Sequence, residues 1–416
     1  MTDTAAPTAP VYLEPATATD SELDERFAPV FRRIAEGNLE RERKREFAHD
    51  QVSWLKAAGL GRIRIPVADG GLGASLEQTF ALLAALAEAD ANVAHVWRNH
   101  LAFVEDRLNA PRSAANDRWI SRFLAGEFVG GGWTEANNGT LAAMATTIRP
   151  DGNGHRVTGA KFYATGSLFA DWLDVIGRTD DGTLLTALVR RDHPGVELVD
   201  DWTGFGQQTT ASGTANYTDV PAEDGDVFPV TERFAYQGHF YQVAILAVLT
   251  GIVRATLRDG VTALRSRGRN YPQGLDPVPA SDPQLLQVIG GVSAYGFGAE
   301  SALRQTAREL DRLAAAHAAD DSVERARLIR TAQVATDQAQ LVIIDAALNA
   351  TTEVFDALGA SGVSTSALLD RHWRNARTLA SHNPRVYKAR ILGDWVVNGA
   401  DPVPDLFAAG RGGQGN

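Results

Sequence analysis

The order of residue patterns along the chain is its tightest constraint: helical periodicity first, then about 100 residues of short β-type segments, then helical periodicity again almost to the end. From 21 to about 124, apolar residues recur at threes and fours through Phe27, Val30, Phe31 and Ile34, then Phe47, Val52, Leu55 and Leu60. Arg41, Arg43, Lys44 and Arg45 fill the other face as a solvated helix surface. From about 128, β-branched and aromatic segments at 156–165, 172–178, 184–189 and 214–220 are separated by turn signals such as Asp180-Asp181-Gly182. No helical pattern intervenes between them, which predicts an antiparallel sheet or barrel. After Pro229, amphipathic helices are predicted over 234–265, 283–318, 322–358 and 364–380, long and closely joined, as in an antiparallel bundle. The fold class is therefore α+β. It comprises a lead-in (1–20), an N-terminal helical domain (21–125), a central antiparallel β domain (126–232), a C-terminal four-helix bundle (233–400) and a tail (401–416).

Composition narrows the partners. A net charge of -11 over 416 residues disfavours nucleic acid and anionic membrane surfaces. The absence of cysteine removes disulfides, thiolate metal sites and cysteine nucleophiles; no metal is expected, and a reducing, cytoplasmic location suits the chain. Residues 1–20 are rich in Thr, Ala and Pro and lack the basic and apolar regions of a signal peptide. The apolar run 243–253 falls short of the ~20 residues that a membrane span needs, and predicts a buried helix.

Two local features bear on chemistry. Asp69-Gly70-Gly71-Leu72-Gly73 has the wrong spacing for a dinucleotide fingerprint and predicts a turn with positive φ. A helix around 93–108 carries His95, Trp97, Asn99, His100 and Phe103; His95 and Asn99 share a face, and His100 is rotated onto the neighbouring one. Lining a pocket and packing in a core are both open to these histidines.

Several stretches, in this order and spacing, resemble the acyl-CoA dehydrogenase superfamily over about residues 20–400. Ile65-Pro66 with the glycine-rich turn resembles its N-domain turn, and Trp133-Thr134-Glu135-Ala136-Asn137-Asn138-Gly139-Thr140 its flavin loop. Gly159-Ala160-Lys161-Phe162-Tyr163-Ala164-Thr165 resembles the strand bordering the isoalloxazine, Asp219-Val220-Pro221 the exit from the β domain, and Thr250-Gly251 to Arg267 the first bundle helix. The resemblance implies an acyl-CoA dehydrogenase-like fold and a flavin contacted by Trp133, Thr134, Tyr163, Thr165 and Trp202, with Gly139 and Thr140 approaching a phosphate. It also implies a homotetramer built through the bundle.

A dehydrogenase of this family needs a carboxylate base. Neither expected position has one, since no Asp or Glu occurs between Phe234 and Leu257 or between Arg371 and Ile391. His382 stands at the second position, in Ser381-His382-Asn383-Pro384. With Asp201-Trp202-Thr203-Gly204-Phe205-Gly206-Gln207, Thr210-Ala211-Ser212-Gly213 and Trp373-Arg374-Asn375-Ala376-Arg377-Thr378, it resembles the flavin monooxygenases that share the fold, such as dibenzothiophene monooxygenase. That branch implies reduced FMN (FAD being the other flavin open to it) delivered by a separate flavin reductase. A C4a-(hydro)peroxyflavin then oxygenates a small apolar or aromatic substrate, at sulfur or nitrogen. His382 would bond the peroxide, His95, Asn99, His100 and Tyr241 would line the pocket, and His100 is the nearest match to the branch's N-domain histidine. Arg267 and Arg269 are the phosphate candidates. A dehydrogenase with an unrecognised base and a non-catalytic homologue remain the alternatives.

Overall fold

Thr19 starts the first helix by a reciprocal cap: its hydroxyl accepts the Glu22 N–H, and the Glu22 carboxylate accepts the Thr19 N–H. The computed structural model describes residues 11–135 and 144–402. Six helices come first: α1 (Asp20–Glu36), α2 (Asn38–Lys44), α3 (His49–Ala58), α4 (Leu76–Ala89), α5 (Ala91–Asn109) and α6 (Ala114–Leu124). The predicted turn is present, with Gly70 at φ 90° and Gly73 at φ 65°. Asp90 ends α4 and caps α5 through the N–H groups of Asn92 and Val93, and Arg41 holds it at 2.8 Å.

The strands are β1 (Val129–Gly132), β2 (Thr147–Asp151), β3 (Gly154–Lys161), β4 (Trp172–Arg178), β5 (Leu184–Arg190), β6 (Val196–Val199), β7 (Thr214–Glu223) and β8 (Val227–Pro229). They form one sheet in the order β6-β7-β3-β2-β4-β5-β8, with β1 on β4. The sheet is mixed rather than wholly antiparallel: β1 and β2 both run parallel to β4. β1 reads Val-Gly-Gly-Gly and carries no period-2 pattern, so its pairing is decided by distant contacts.

The bundle comprises α7 (Gln237–Ser266), α8 (Pro283–Ala318), α9 (Ser322–Leu358) and α10 (Asp370–Ala380), and α11 (Val386–Asn398) lies along α9. α7 is long and apolar enough to cross a bilayer, yet 78% of its most apolar window is buried, against α4, α5, α8 and α9. α10 starts at Asp370 rather than at 364 because 365–367 form a turn and Leu368 takes the left-handed conformation, φ 49°, which a continuous helix excludes. One apolar core runs from α1 through the sheet into α9. Charge locks the parts together: Arg233, just before α7, binds Asp106 of α5 and Asp174 of β4, both at 2.7 Å, and Asp311 of α8 accepts the first N–H groups of α4.

Candidate active site

The α5 helix sorts its polar side chains by face. His95, Arg98 and Asn99 fall three and four apart and lie on one side, whereas Trp97 and His100 point to the other. His100 faces a different cavity from His95. Its Nδ1 accepts the Val129 N–H at 3.1 Å, Nε2–H donates to the Gly61 carbonyl at 2.9 Å, and the ring stacks on Phe128. Burial pushes it down to about 4, so it is a neutral, fully bonded core group. A cavity of about 230 Å³ beside it, lined by Lys56, Gly61, Trp97 and Phe128, leaves those ring nitrogens nothing to offer a ligand.

The opposite face of α5 is unfinished. His95 Nδ1 bonds Gln207 Oε1 at 3.0 Å, but its buried Nε2 and the Gln207 Nε2 have no partner. Burial, then the nearby Arg98 charge, pushes His95 down to about 3. Asn99 donates to the carbonyls of Gly131 at 2.9 Å and Thr165 at 3.1 Å, so it fastens β1 to the turn after β3 as well as bordering the cleft. Arg98 Nη1 reaches His382 Nε2 at 3.0 Å, and its guanidinium lies 5.3 Å from the Tyr241 ring. Burial lowers Arg98 to about 10, still charged at neutral pH.

An arginine only donates, so Nε2 of His382 accepts and its proton is assigned to Nδ1. Surrounding protein, then Arg98 and His95, hold the His382 imidazole well below its ordinary range. The residue keeps an open face to solvent, so the Arg98 contact is the firmer of these causes. Its loop is steadied by Gln340, whose Nε2 donates to the Asn383 carbonyl at 3.1 Å.

The sheet side supplies aromatic faces and hydroxyls. A bridge between Thr134 and Phe162 brings the end of β1 to the end of β3. Tyr163 then takes the left-handed conformation, φ 61°, and stays 49% exposed beside Trp202, 5.8 Å between centroids. Gln207 (φ 54°) and Ala211 (φ 53°) share that uncommon backbone, so left-handed non-glycine residues gather around this cleft. Thr165 is buried, and its hydroxyl bonds Ser212 at 2.8 Å, which bonds Thr210 at 2.7 Å. Asn375 of α10 accepts the Gln207 N–H at 2.6 Å, tying the bundle to this loop. Trp133 lies 6.3 Å from Tyr241 and donates to Asp174.

The carboxylates nearest the cleft are all engaged: Asp174 with Arg233, Glu135 with Lys161, Glu42 with Arg374. Gly139 and Thr140 lie outside the described residues. Arg267 and Arg269 do not join the site. Both follow the C-terminal end of α7, some 26 residues from Tyr241 or about 39 Å along the helix, and Arg267 donates to the Ala357 carbonyl at the end of α9.

Two family descriptions match this chain: "Acyl-CoA dehydrogenase, N-terminal domain" over residues 21–127 and "Acyl-CoA dehydrogenase, C-terminal domain" over 243–385. Dibenzothiophene monooxygenase of Mycolicibacterium goodii is 26% identical over 88% of this chain and 91% of its own. The probable FMNH2-dependent monooxygenase SfnC of Pseudomonas putida is 28% identical over 85% and 89%. The chain belongs to the acyl-CoA dehydrogenase superfamily, in its flavin-dependent monooxygenase branch. Its fold matches the dibenzothiophene monooxygenase TdsC of Paenibacillus sp. A11-2, solved with FMN and indole, at TM-score 0.84 and 25% identity over 94% of this chain and 100% of that one.

For a member of this branch, the donor set fits a flavin. The isoalloxazine is a flat ring edged with acceptors and donors, and the cleft presents open aromatic faces at Tyr163 and Trp202 together with the buried, unpartnered His95 Nε2 and Gln207 Nε2. Arg98 is absent from the residues that the sequence singles out; Gln207 and Ser212 stand there only within the stretches that carry the resemblance, without a role of their own. Arg98 carried one usable signal, its i+3 spacing from His95.

Proposed function

We propose that this protein is a two-component monooxygenase that takes reduced FMN from a separate flavin reductase and oxygenates a small apolar or aromatic substrate at sulfur or nitrogen. The observation that carries the reading is the state of the acids. Among the described residues, each carboxylate nearest the cleft is held in an ion pair, and the place where a dehydrogenase needs its base is occupied by His382. A carboxylate locked onto a cation is not free to take a substrate proton. Glu135 is also held low by the hydrogen bonds it accepts, whereas burial pushes Asp174 and Glu42 up, so that these two depend on their cations to stay charged. FMN is favoured over FAD by the relative named for FMNH2 and by the FMN-bound neighbour.

When bound and reduced, the flavin would supply the two electrons that activate O2, one oxygen atom going to the substrate and the other leaving as water. Trp133, Thr134, Tyr163, Thr165 and Trp202 hold and cover it. Excluding water there protects reactive oxygen chemistry from hydrolysis. His382 offers Nδ1–H as a hydrogen-bond donor, with Nε2 occupied by Arg98, so it steadies an oxygen atom without carrying a net positive charge. His95 stays neutral and presents Nε2 to the same space. A homotetramer in the cytoplasm completes the proposal. The homotetramer is supported by the exposed apolar residues Phe297 of α8 and Tyr387, Val396 and Val397 of α11, left open among the described residues.

The test is a single turnover. The protein is mixed without air with chemically reduced FMN and a neutral aromatic sulfide, O2 is admitted, and products are weighed by mass spectrometry. One added oxygen atom is expected, lost in His382→Gln. Bleaching of a tightly held flavin by an acyl-CoA, with no oxygenated product, would establish the dehydrogenase instead, and absence of flavin binding in any redox state would leave a non-catalytic homologue.

A further inference from the structure

Arg98 is a half-buried cation without a counter-charge among the described residues. Its buried Nε has no partner, its Nη1 is spent on a neutral imidazole, and its face rests on Tyr241. No described carboxylate lies within ion-pair distance, and the internal segment 136–143, outside the described residues, contains no Asp or Glu. Elsewhere the fold does not leave such groups alone. Arg41 has Asp90, Arg64 has Glu105, Arg107 has Asp106, and Arg371 has Asp259. A guanidinium whose Nε is shut off from water and unbonded, and whose one acceptor is an imidazole, is under-satisfied, and such a group persists where the missing partner arrives from outside. The planar guanidinium matches a two-oxygen anion, to which it can present parallel N–H groups.

We infer that the substrate of this cleft is a small organic anion, an apolar or aromatic body carrying one carboxylate or sulfinate, and that Arg98 receives its charged end. This rests on the monooxygenase reading for the chemistry that follows, though not for the binding itself. His95, Tyr241 and His382 surround the same space and bring no negative charge at neutral pH, so nothing repels the anion. Tyr241 and Trp133 offer ring faces to the body of the molecule, and taking the anion releases Nε2 of His382 from Arg98.

The experiment is calorimetric titration of the flavin-free and FMN-loaded protein with benzenesulfinate and benzoate, against the neutral methyl phenyl sulfone and benzaldehyde. Charge-assisted hydrogen bonds of this kind correspond to about 10- to 100-fold in affinity. The anions are expected to bind tighter than the neutral probes by that factor, and Arg98→Met to remove the difference, with Arg98→Lys restoring part of it; circular dichroism confirms that the variants fold. The stronger of the two anions identifies the headgroup. Equal binding of anions and neutral probes, absence of anion binding in both forms, or an unchanged preference in Arg98→Met would overturn the inference. If the anions bind through Arg98 but benzenesulfinate, given reduced FMN and O2, is not oxidised to benzenesulfonate and the neutral sulfide gains no oxygen atom, the monooxygenase reading fails alone. If neutral sulfides are oxygenated equally well by the wild type and Arg98→Met, with no anion preference, the inference fails alone.

Discussion

Arg98 and Arg233 flank the same pair of aromatic rings. Arg98 lies 5.3 Å from Tyr241, Arg233 lies 5.4 Å from Trp133, and the rings are 6.3 Å apart. Their electrostatic settings are opposite. Arg233 is buried, bound by Asp106 and Asp174 and by the Thr186 hydroxyl at 2.8 Å, and these carboxylates drive its proton affinity up. Arg98 has only His382 and an aromatic face, and burial drives its proton affinity down. A cation that joins three parts of the chain is neutralised by the chain; one that faces the cleft is left for something else. The comparison teaches that charge pairing separates the groups that hold this fold from those that act in it.

The largest expected effect tests that division directly. Arg233→Met leaves the buried Asp174 without its cation, while Asp106 keeps only Arg107, and should cost about 3–5 kcal/mol in urea unfolding, enough to abolish folding in a marginal domain. Arg98→Met removes a half-buried charge that lacks an acid partner among the described residues, and its stability should stay within about 1 kcal/mol of the wild type, or rise. Equal losses in the two variants would break the comparison.

The next effect is on activity. His382→Gln removes the imidazole at the mouth of the cleft, and oxygen transfer at saturating reduced FMN should fall by about 100-fold or more, while the melting temperature barely moves because the residue is open to solvent. Unchanged oxygenation would take His382 out of the mechanism. A matching loss of stability would return it to the structural class.

How much of this was legible in the sequence depends on the range of the interaction concerned. The long helices α8 and α9 fall on the predicted 283–318 and 322–358 because their start signals are local: Asp282 caps the N–H of Gln284, and Asp321 caps that of Glu324. β1 went unread, since three glycines in a row form a strand only by pairing with β4, over forty residues away in sequence. α11 went unread because its apolar residues meet no core in their own chain. At the site, His382 was visible as a replacement for a missing acid. The roles of His95 and His100 were not, because which of them is satisfied depends on Gly61, Val129 and Gln207, all remote along the chain. Arg98 was hidden for the same reason: lacking a partner is a property of the fold, and no local pattern records it.

The histidines of α5 repeat the contrast at smaller cost, and pH reads it. His95 and His100 are held down to about 3 and about 4 by burial. Both folded values lie below the unfolded value near 6.5, so their contribution is complete above that pH and is lost as pH falls through it, when the unfolded chain takes up protons that the folded one refuses. Between pH 7 and pH 5 each should remove up to about 2 kcal/mol of stability. His95→Gln should lose part of this acid sensitivity with little loss at pH 7, because only one ring nitrogen is bonded; His100→Gln should lose stability at both pH values. Identical pH slopes in the wild type and both variants would refute the assignment.

Thr165 sits between the two classes and gives the smallest and most discriminating effect. Its hydroxyl is satisfied by Ser212, as a structural group should be, yet the residue follows Tyr163 directly into the proposed flavin face. Thr165→Val keeps the shape and deletes one hydrogen bond, so a purely structural hydroxyl costs about 1 kcal/mol of stability and leaves FMN binding alone. If the hydroxyl also turns to the flavin, FMN affinity should fall about fivefold beyond that, an amount close to one further hydrogen bond. Ser212→Ala supplies the control, since it breaks the same bond from the side away from Tyr163 and still leaves the Thr165 hydroxyl in place. A loss of FMN affinity in Thr165→Val that Ser212→Ala does not share would place Thr165 with Arg98 and His95, among groups whose last partner is not part of the chain.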